Sequence, residues 1–212
     1  MGHNAIDVHD DCDLHGDWIT ARFVGIMVFG SDVAVGSLRV TPAGERVRQV
    51  LDTTAGDGVR LVWEQVCSRS RDALSVELVR LDPDTARGQG HGRRAFRNFL
   101  LWCELAGVRR VELDAGKDVG GYYWARCGFL PAQADWAAVV AAMKAQAERL
   151  GHRSLQTLIQ RASTLGPAGL ALLAGSQHGK ELLLHGRWRG VLDLANPAQL
   201  QRAQSYAHPS AS

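Results

Sequence analysis

Lysine is nearly absent from this chain: three residues stand against 21 arginines. The four cysteines, Cys12, Cys67, Cys103 and Cys127, lie far apart and form none of the paired spacings of a zinc site or a disulfide framework. Reduced thiols are therefore expected. No run reaches the roughly 18 uninterrupted apolar residues that a membrane span requires. No Gly-Lys-Ser/Thr triplet is present, which excludes a Walker loop. An excess of either charge is also lacking, since 24 basic and 22 acidic residues leave a formal net charge of +2, too little for a general nucleic-acid coat. The preference for arginine fits phosphate recognition by a planar fork or a plain compositional bias.

What is present is globular. With 212 residues, 46% apolar and 22% charged, the chain can build one domain with a helical extension, or two small domains. Residues 1–17 hold five aspartates and neither Lys nor Arg, without period, and read as a mobile acidic tail. Their charge is opposite to that of a secretory or organellar presequence, so a cytoplasmic location is expected. The tail collects His3, His9, Asp10, Asp11, Cys12, Asp13 and His15, but a ligand-rich segment without a scaffold rarely makes a specific site, and no metal is assigned.

Residues 19–29, 33–40, 59–66 and 74–81 carry the β-branched enrichment or period-2 alternation of strands, with 53–58 as a turn. Together they predict an antiparallel meander. Apolar positions then recur at three- and four-residue spacing, predicting a helix over 92–105 ended by Gly107. A strand over 108–113 and a short helix over 119–127, stopped by Gly128, come next. Past 132 the composition shifts to Ala, Leu and Gln: a helical stripe runs from Trp136 to Leu150, helices are expected over 154–163 and 167–173, strands over 181–184 and 190–194, and Asn196-Pro197 caps a last helix reaching Tyr206. The expected fold class is α/β (α+β), with a core over 18–132 and a helix-rich part, 133–212, packed on or completing it.

The stretch from Asp82 to Arg97 carries the chemistry. Gly88, Gly90 and Gly92 sit between a strand and a helix, with arginines at 87, 93, 94 and 97. Glycines let a backbone approach an anion closely, and a helix N-terminus directs N–H groups and a positive dipole end at it. The dinucleotide fingerprint does not fit, because its third glycine would fall on Arg93. A plain strand-to-helix turn with solvated arginines remains the alternative.

The spacing Arg87-x-x-Gly90-x-Gly92 resembles the acetyl-CoA pyrophosphate signature of the GNAT superfamily of N-acetyltransferases. Leu81-Asp82-Pro83 looks like the end of that family's fourth strand, and Gly128-Phe129 after a short helix looks like its second motif. The loop between Pro83 and Arg87 is one residue longer than the commonest form. The resemblance covers about residues 74–131 and implies a mixed sheet with flanking helices. It also implies that Arg87, Gly88, Gln89, Gly90, His91, Gly92 and Arg93 hold the pyrophosphate of acetyl-CoA, and that the backbone of Val79 to Leu81 pairs with the pantetheine amides. An amine acceptor, on a small molecule, peptide or aminoacylated RNA, would attack the thioester directly, leaving positioning and proton transfer to the protein.

The family often places a carboxylate base on the strand before the loop; here that is Glu77, which reads equally well as a solvent-facing glutamate. A tyrosine four residues before the Gly-Phe pair usually protonates the leaving thiolate. This sequence has Trp124 there, and Tyr123 is the candidate acid, although Tyr122 and Tyr123 are turned by roughly 100 to 200 degrees around a helix. Trp102 and Trp136 read as core, His91 as a phosphate donor or a water-facing residue, and Gly186-Arg187-Trp188-Arg189-Gly190 as a hairpin turn rather than a nucleic-acid contact. Two functions stay open: an acetyltransferase, with no membrane partner and a homodimer allowed, or a noncatalytic module binding CoA or a protein. Residues 120–129 also resemble GNAT-like modules of bacterial toxins and phage proteins.

Overall fold

A computed structural model of the chain describes residues 5–10, 33–43, 46–55, 57–68, 73–82, 89–116, 120–151, 153–184 and 186–208. The architecture is mixed α/β and forms two compact units, one built from the chain up to Val111 and one from Glu112–Tyr206. The second unit thus begins at 112, where the sequence placed the start of the helix-rich part at 133.

In the first unit the strands lie in chain order: β1 (Ala5–Asp10), β2 (Val33–Ala43), β3 (Arg46–Ala55), β4 (Arg60–Ser68) and β5 (Ala73–Asp82). β2 to β5 form an antiparallel meander in which β2, β4 and β5 match expected strands and β3 was not foreseen, and β1 runs parallel to β2. Residues 5–10, expected to be part of an irregular tail, are therefore a strand; of the tail's ligand-type residues only Asp7, His9 and Asp10 are described, all on it. The strand expected over 19–29 lies outside the described residues.

β3 corrects the sequence reading. Its burial alternates strictly, with Val47, Gln49, Leu51, Thr53 and Ala55 inward, but Gln49 and Thr53 hide that period from an apolar count. The expected turn at 53–58 is accordingly shorter, closed by a Gly58 N–H donating to the Ala55 carbonyl at 2.9 Å.

The inner face of this sheet is covered by α1 (His91–Ala106), whose Ala95, Phe96, Phe99, Trp102 and Cys103 are buried. The rings of Phe99 and Trp63 on β4 lie 4.7 Å apart. Each such side chain removed from water contributes about 1.5–3 kcal/mol. Beside them runs a buried polar chain: Trp63 Nε1 donates to Gln65 Oε1 (2.9 Å), and Gln65 Nε2 donates to Gln49 Oε1 (2.7 Å). The outer face carries Arg48–Glu64 and Arg60–Asp52 ion pairs across β3 and β4, beside the buried Val62 and Val66.

In the second unit β6 (Arg110–Ala115), which crosses the boundary, neighbours β8 (Trp188–Asp193), and β8 pairs antiparallel with β7 (Leu130–Pro131). Around them pack α2 (Gly120–Arg126), α3 (Trp136–Leu150), α4 (Arg153–Thr164), α5 (Gly169–Ala174), α6 (Gly179–Leu183) and α7 (Pro197–Ala207). The stripe on α3 is buried at Trp136, Val139, Val140, Met143 and Ala147, as its spacing predicts. Asn196 caps α7 through Oδ1, which accepts from the Ala198 and Gln199 N–H groups. Residues 167–173 divide into a 3₁₀ turn (Gly166–Ala168) and α5.

Two further corrections fall here. Residues 181–184, expected as a strand, belong to the helical turn of α6, with Leu182 N–H donating to His178 O and Leu184 N–H to Lys180 O. A short apolar run does not distinguish strand from helix by period, and packing decided it. The segment 186–190 is not a hairpin turn: β8 starts at Trp188, whose ring is buried. Among the described residues no helix is long and apolar enough to cross a membrane.

Burial pushes the Cys67 thiol up to about 12, and burial, followed by the neighbouring Cys67, raises Cys103 well above the ordinary thiol range. At pH 8 only about one Cys67 in ten thousand is a thiolate. Thiol labelling followed by peptide mapping is expected to leave Cys67 and Cys103 unmodified in the native protein and to modify both in denaturant. Rapid native labelling of either would contradict the packing described.

Candidate functional site

β5 starts by alternating regularly, with Leu74 and Val76 buried, and then changes phase. Gln65 on β4 faces Val76 and Glu64 faces Leu78, so Glu77 is an extra residue in β5, a β-bulge. Past the bulge the inward positions are Val79 opposite Trp63 and Leu81 opposite Leu61. Both are only half-buried, and Leu78 is exposed. Glu77 is exposed and accepts a hydrogen bond from Ser75 Oγ at 2.6 Å. β4 occupies one edge of the Val79–Leu81 backbone.

Arg87 and Gly88 lie outside the described residues, and the site becomes visible at Gln89, which is exposed. Gly90 caps α1 with φ 90° and ψ −5°, a left-handed conformation that costs an L side chain about 1–2 kcal/mol. No acidic residue stands in the first turn of α1. That turn instead carries Gly92, Arg93 and Arg94, followed one turn on by Arg97; Arg93 and Arg97 are exposed and Arg94 is half-buried. A first turn with no carboxylate of its own and several arginines favours an external anion through both its dipole and its side chains.

His91 departs from the water-facing alternative. It is 5% exposed, and its Nε2 lies 3.6 Å from Asp57 Oδ2. Asp57 sits in the β3–β4 turn, where its Oδ1 accepts from the Val59 N–H at 3.2 Å. The pair therefore places the start of α1 against that turn. His91 Nδ1 is buried without a hydrogen-bond partner among the described residues.

The second unit holds the other candidate. On α2, Tyr123 is half-buried, with its ring edge-on to Trp124 (4.8 Å between centroids) and to Tyr206 on α7 (6.1 Å). Trp124 is 8% exposed and packs edge-on against Phe129 at 5.2 Å, so at this position the chain has a core ring and no hydroxyl. α2 is held close to α6, since a Cβ added to Gly121 would lie 2.5 Å from the Leu183 carbonyl oxygen. Trp102 and Trp136 are buried core, as expected.

The structure thus brings Gln89, Gly90, His91, Gly92 and Arg93 together at the start of α1 and places Val79, Leu81 and Glu77 on the strand leading to it. Tyr123 belongs to the other unit. Asp57, Ser75 and the bulge were missed from sequence. A signal for the bulge exists in Leu78-Val79, where two adjacent apolar residues break an otherwise alternating run. Asp57-Gly58 reads only as a turn.

Among the described residues no group of metal-ligating side chains is present. No model of a known protein family matches the chain, and no curated protein matches it in sequence.

Gly90→Ala is expected to lower stability by about 1–2 kcal/mol in urea unfolding, although a Cβ there meets nothing within 4 Å, because the cost is conformational. A variant as stable as the parent would exclude the left-handed cap.

Proposed function

We propose that the chain binds acetyl-CoA at the start of α1 and transfers the acetyl group to an amine. The observation that carries this reading is a left-handed glycine cap on a helix whose first turn bears arginines and no acidic residue, next in the chain after a strand that bulges at a carboxylate. Such a helix start supplies what a diphosphate needs, namely N–H groups at the helix end, a favourable dipole and arginines one turn apart. The resemblance of residues 74–131 to the GNAT superfamily supports the same assignment. Gln89, Gly90, His91, Gly92 and Arg93, with Arg87 and Gly88 before them, hold the diphosphate; the Val79–Leu81 strand aligns the pantetheine arm.

In this reading the acceptor amine loses its proton to Glu77 as nitrogen attacks the thioester carbonyl, and the carbon–sulfur bond then breaks to release the CoA thiolate. The protein contributes position and proton transfer, the latter worth about 10²- to 10⁴-fold in rate. The acceptor class stays at an amine of a small molecule, peptide or aminoacylated RNA.

A second reading is favoured by Trp124, a buried ring where the family usually has a proton donor: a CoA-binding module without transferase activity, of the kind found in bacterial toxins and phage proteins.

Acetyl-CoA is expected to raise the melting temperature, and none of this raising should remain in Gly90→Val assayed below its own melting point. No shift in the parent at millimolar acetyl-CoA removes both readings. An amine-dependent release of thiol selects the enzyme, and a thermal shift with no release for any amine selects the module. For the enzyme, Glu77→Gln is expected to lower kcat by about 10²-fold or more with the KM for acetyl-CoA unchanged. An unchanged kcat would remove Glu77 as the base.

A further inference from the structure

The second unit contains a cleft of about 70 Å³ with no part in the acyl-CoA reading. Its walls are apolar: Val139 and Met143 from α3, Leu182 and Leu183 from α6, and the indole of Trp188 at the start of β8. Two exposed arginines also line it, Arg149 in the last turn of α3 and Arg187 just before β8, and among the described residues no acidic side chain does. Neither arginine has an ion-pair partner among the described residues. Among the described residues its remaining polar side chain, Gln146, is already engaged, donating to the Glu181 carbonyl at 3.2 Å.

The indole supplies the second, independent observation. Trp188 is 5% exposed, and its Nε1–H is buried with no acceptor among the described residues. A buried donor in that state is desolvated without compensation, which an acceptor entering the cleft would supply. The cover over the N–H is thin on the side of Gly186, where a side-chain Cβ would sit 3.9 Å from Nε1 and 3.8 Å from Cδ1. Gly186 presents backbone alone there, and its own N–H is held by the Leu183 carbonyl at 3.1 Å.

Size and charge then select the ligand. A volume of 70 Å³ is room for about five water-sized groups, which excludes a nucleotide or a long acyl chain. Two guanidinium groups at the mouth require an anion, the orphan indole N–H requires an acceptor, and the walls require hydrocarbon. We propose that this cleft binds a small aliphatic monocarboxylate, whose oxygens meet Arg149, Arg187 and the Trp188 N–H while its short chain lies against Met143 and Leu182. A charge-assisted contact of this kind, with so few atoms buried, places the affinity in the millimolar range.

Two-dimensional proton–nitrogen NMR of the full chain tests this with butyrate as the probe. The Trp188 indole resonance, identified by its loss in Trp188→Phe, is expected to shift saturably with a dissociation constant of about 1 mM. Butyramide, the neutral isostere, should produce no saturable shift. Arg149→Gln is expected to weaken butyrate about tenfold. Gly186→Ala fits in ordinary van der Waals contact and should leave the other indole signals in place while abolishing the shift. Absence of a saturable shift with butyrate overturns the proposal. So does an equal response to butyramide, or an undiminished response in Gly186→Ala. Because the cleft lies wholly in the second unit, a negative result here leaves the acetyl-CoA assay unaffected, and the reverse also holds.

Discussion

Phe96, Phe99 and Trp102 lie along one face of α1, and the stacking of Phe99 on Trp63 presses that face onto the sheet of the first unit. The direction of α1, and with it the position of Gly90, is set by this contact. A helix end can offer its dipole to an anion only if the helix is held still. Here the holding is done by rings buried 97% or more at Phe96, Phe99 and Trp102. Part of the polar content beneath it is mutually satisfied: Gln65, 4% exposed, donates to Gln49 Oε1 and accepts the Trp63 N–H, while Gln49 Nε2 and Thr53 Oγ1 are buried with no hydrogen-bond partner among the described residues. Removing one member would leave the others desolvated without partners, which costs more than the bond itself contributes.

The bulge at Glu77 has a consequence for chemistry that the helix does not explain. Inserting one residue into β5 rotates the remainder of that strand by half a pleat relative to a regular one, so Val79 and Leu81 return to the inner face while Glu77 stays exposed beside Ser75. Without the bulge, Leu78 would point inward and Val79 outward, and the strand would present a different backbone edge and a different set of side chains to the start of α1. The local cost of interrupting the ladder is thus tied to where a carboxylate stands relative to the glycine cap, and both belong to one unit.

How much of this was readable beforehand depended on whether a residue advertises its environment by its own type. The α1 and α3 stripes did, because apolar residues at three- and four-residue spacing have few other uses, and both helices were found. Gly90, Gly92 and the arginines did, because glycine before a helix is informative about backbone. β3 did not, since Gln49 and Thr53 are polar residues at positions that only the fold buries. His91 did not either: its burial and its Asp57 neighbour arise from a turn more than thirty residues away in the chain. Trp188, at the centre of a basic pentad, looked like a turn residue, and only strand pairing with β7 and the packing of α3 and α6 turned its ring inward.

Trp124 brings these points to bear on mechanism. A tyrosine at a helix position can both pack and donate, since its ring fills space while its hydroxyl reaches solvent or substrate. A tryptophan in the same place fills more space and carries its donor on the ring edge. In this chain it has gone into the core against Phe129, with Gly121 allowing α2 to approach the Leu183 carbonyl closely. Tyr123, the preceding residue, is turned about 100 degrees away around α2, and its ring meets those of Trp124 and Tyr206. The packing that makes α2 a good structural element therefore assigns the position's ring to stability and moves any proton donor to its neighbour.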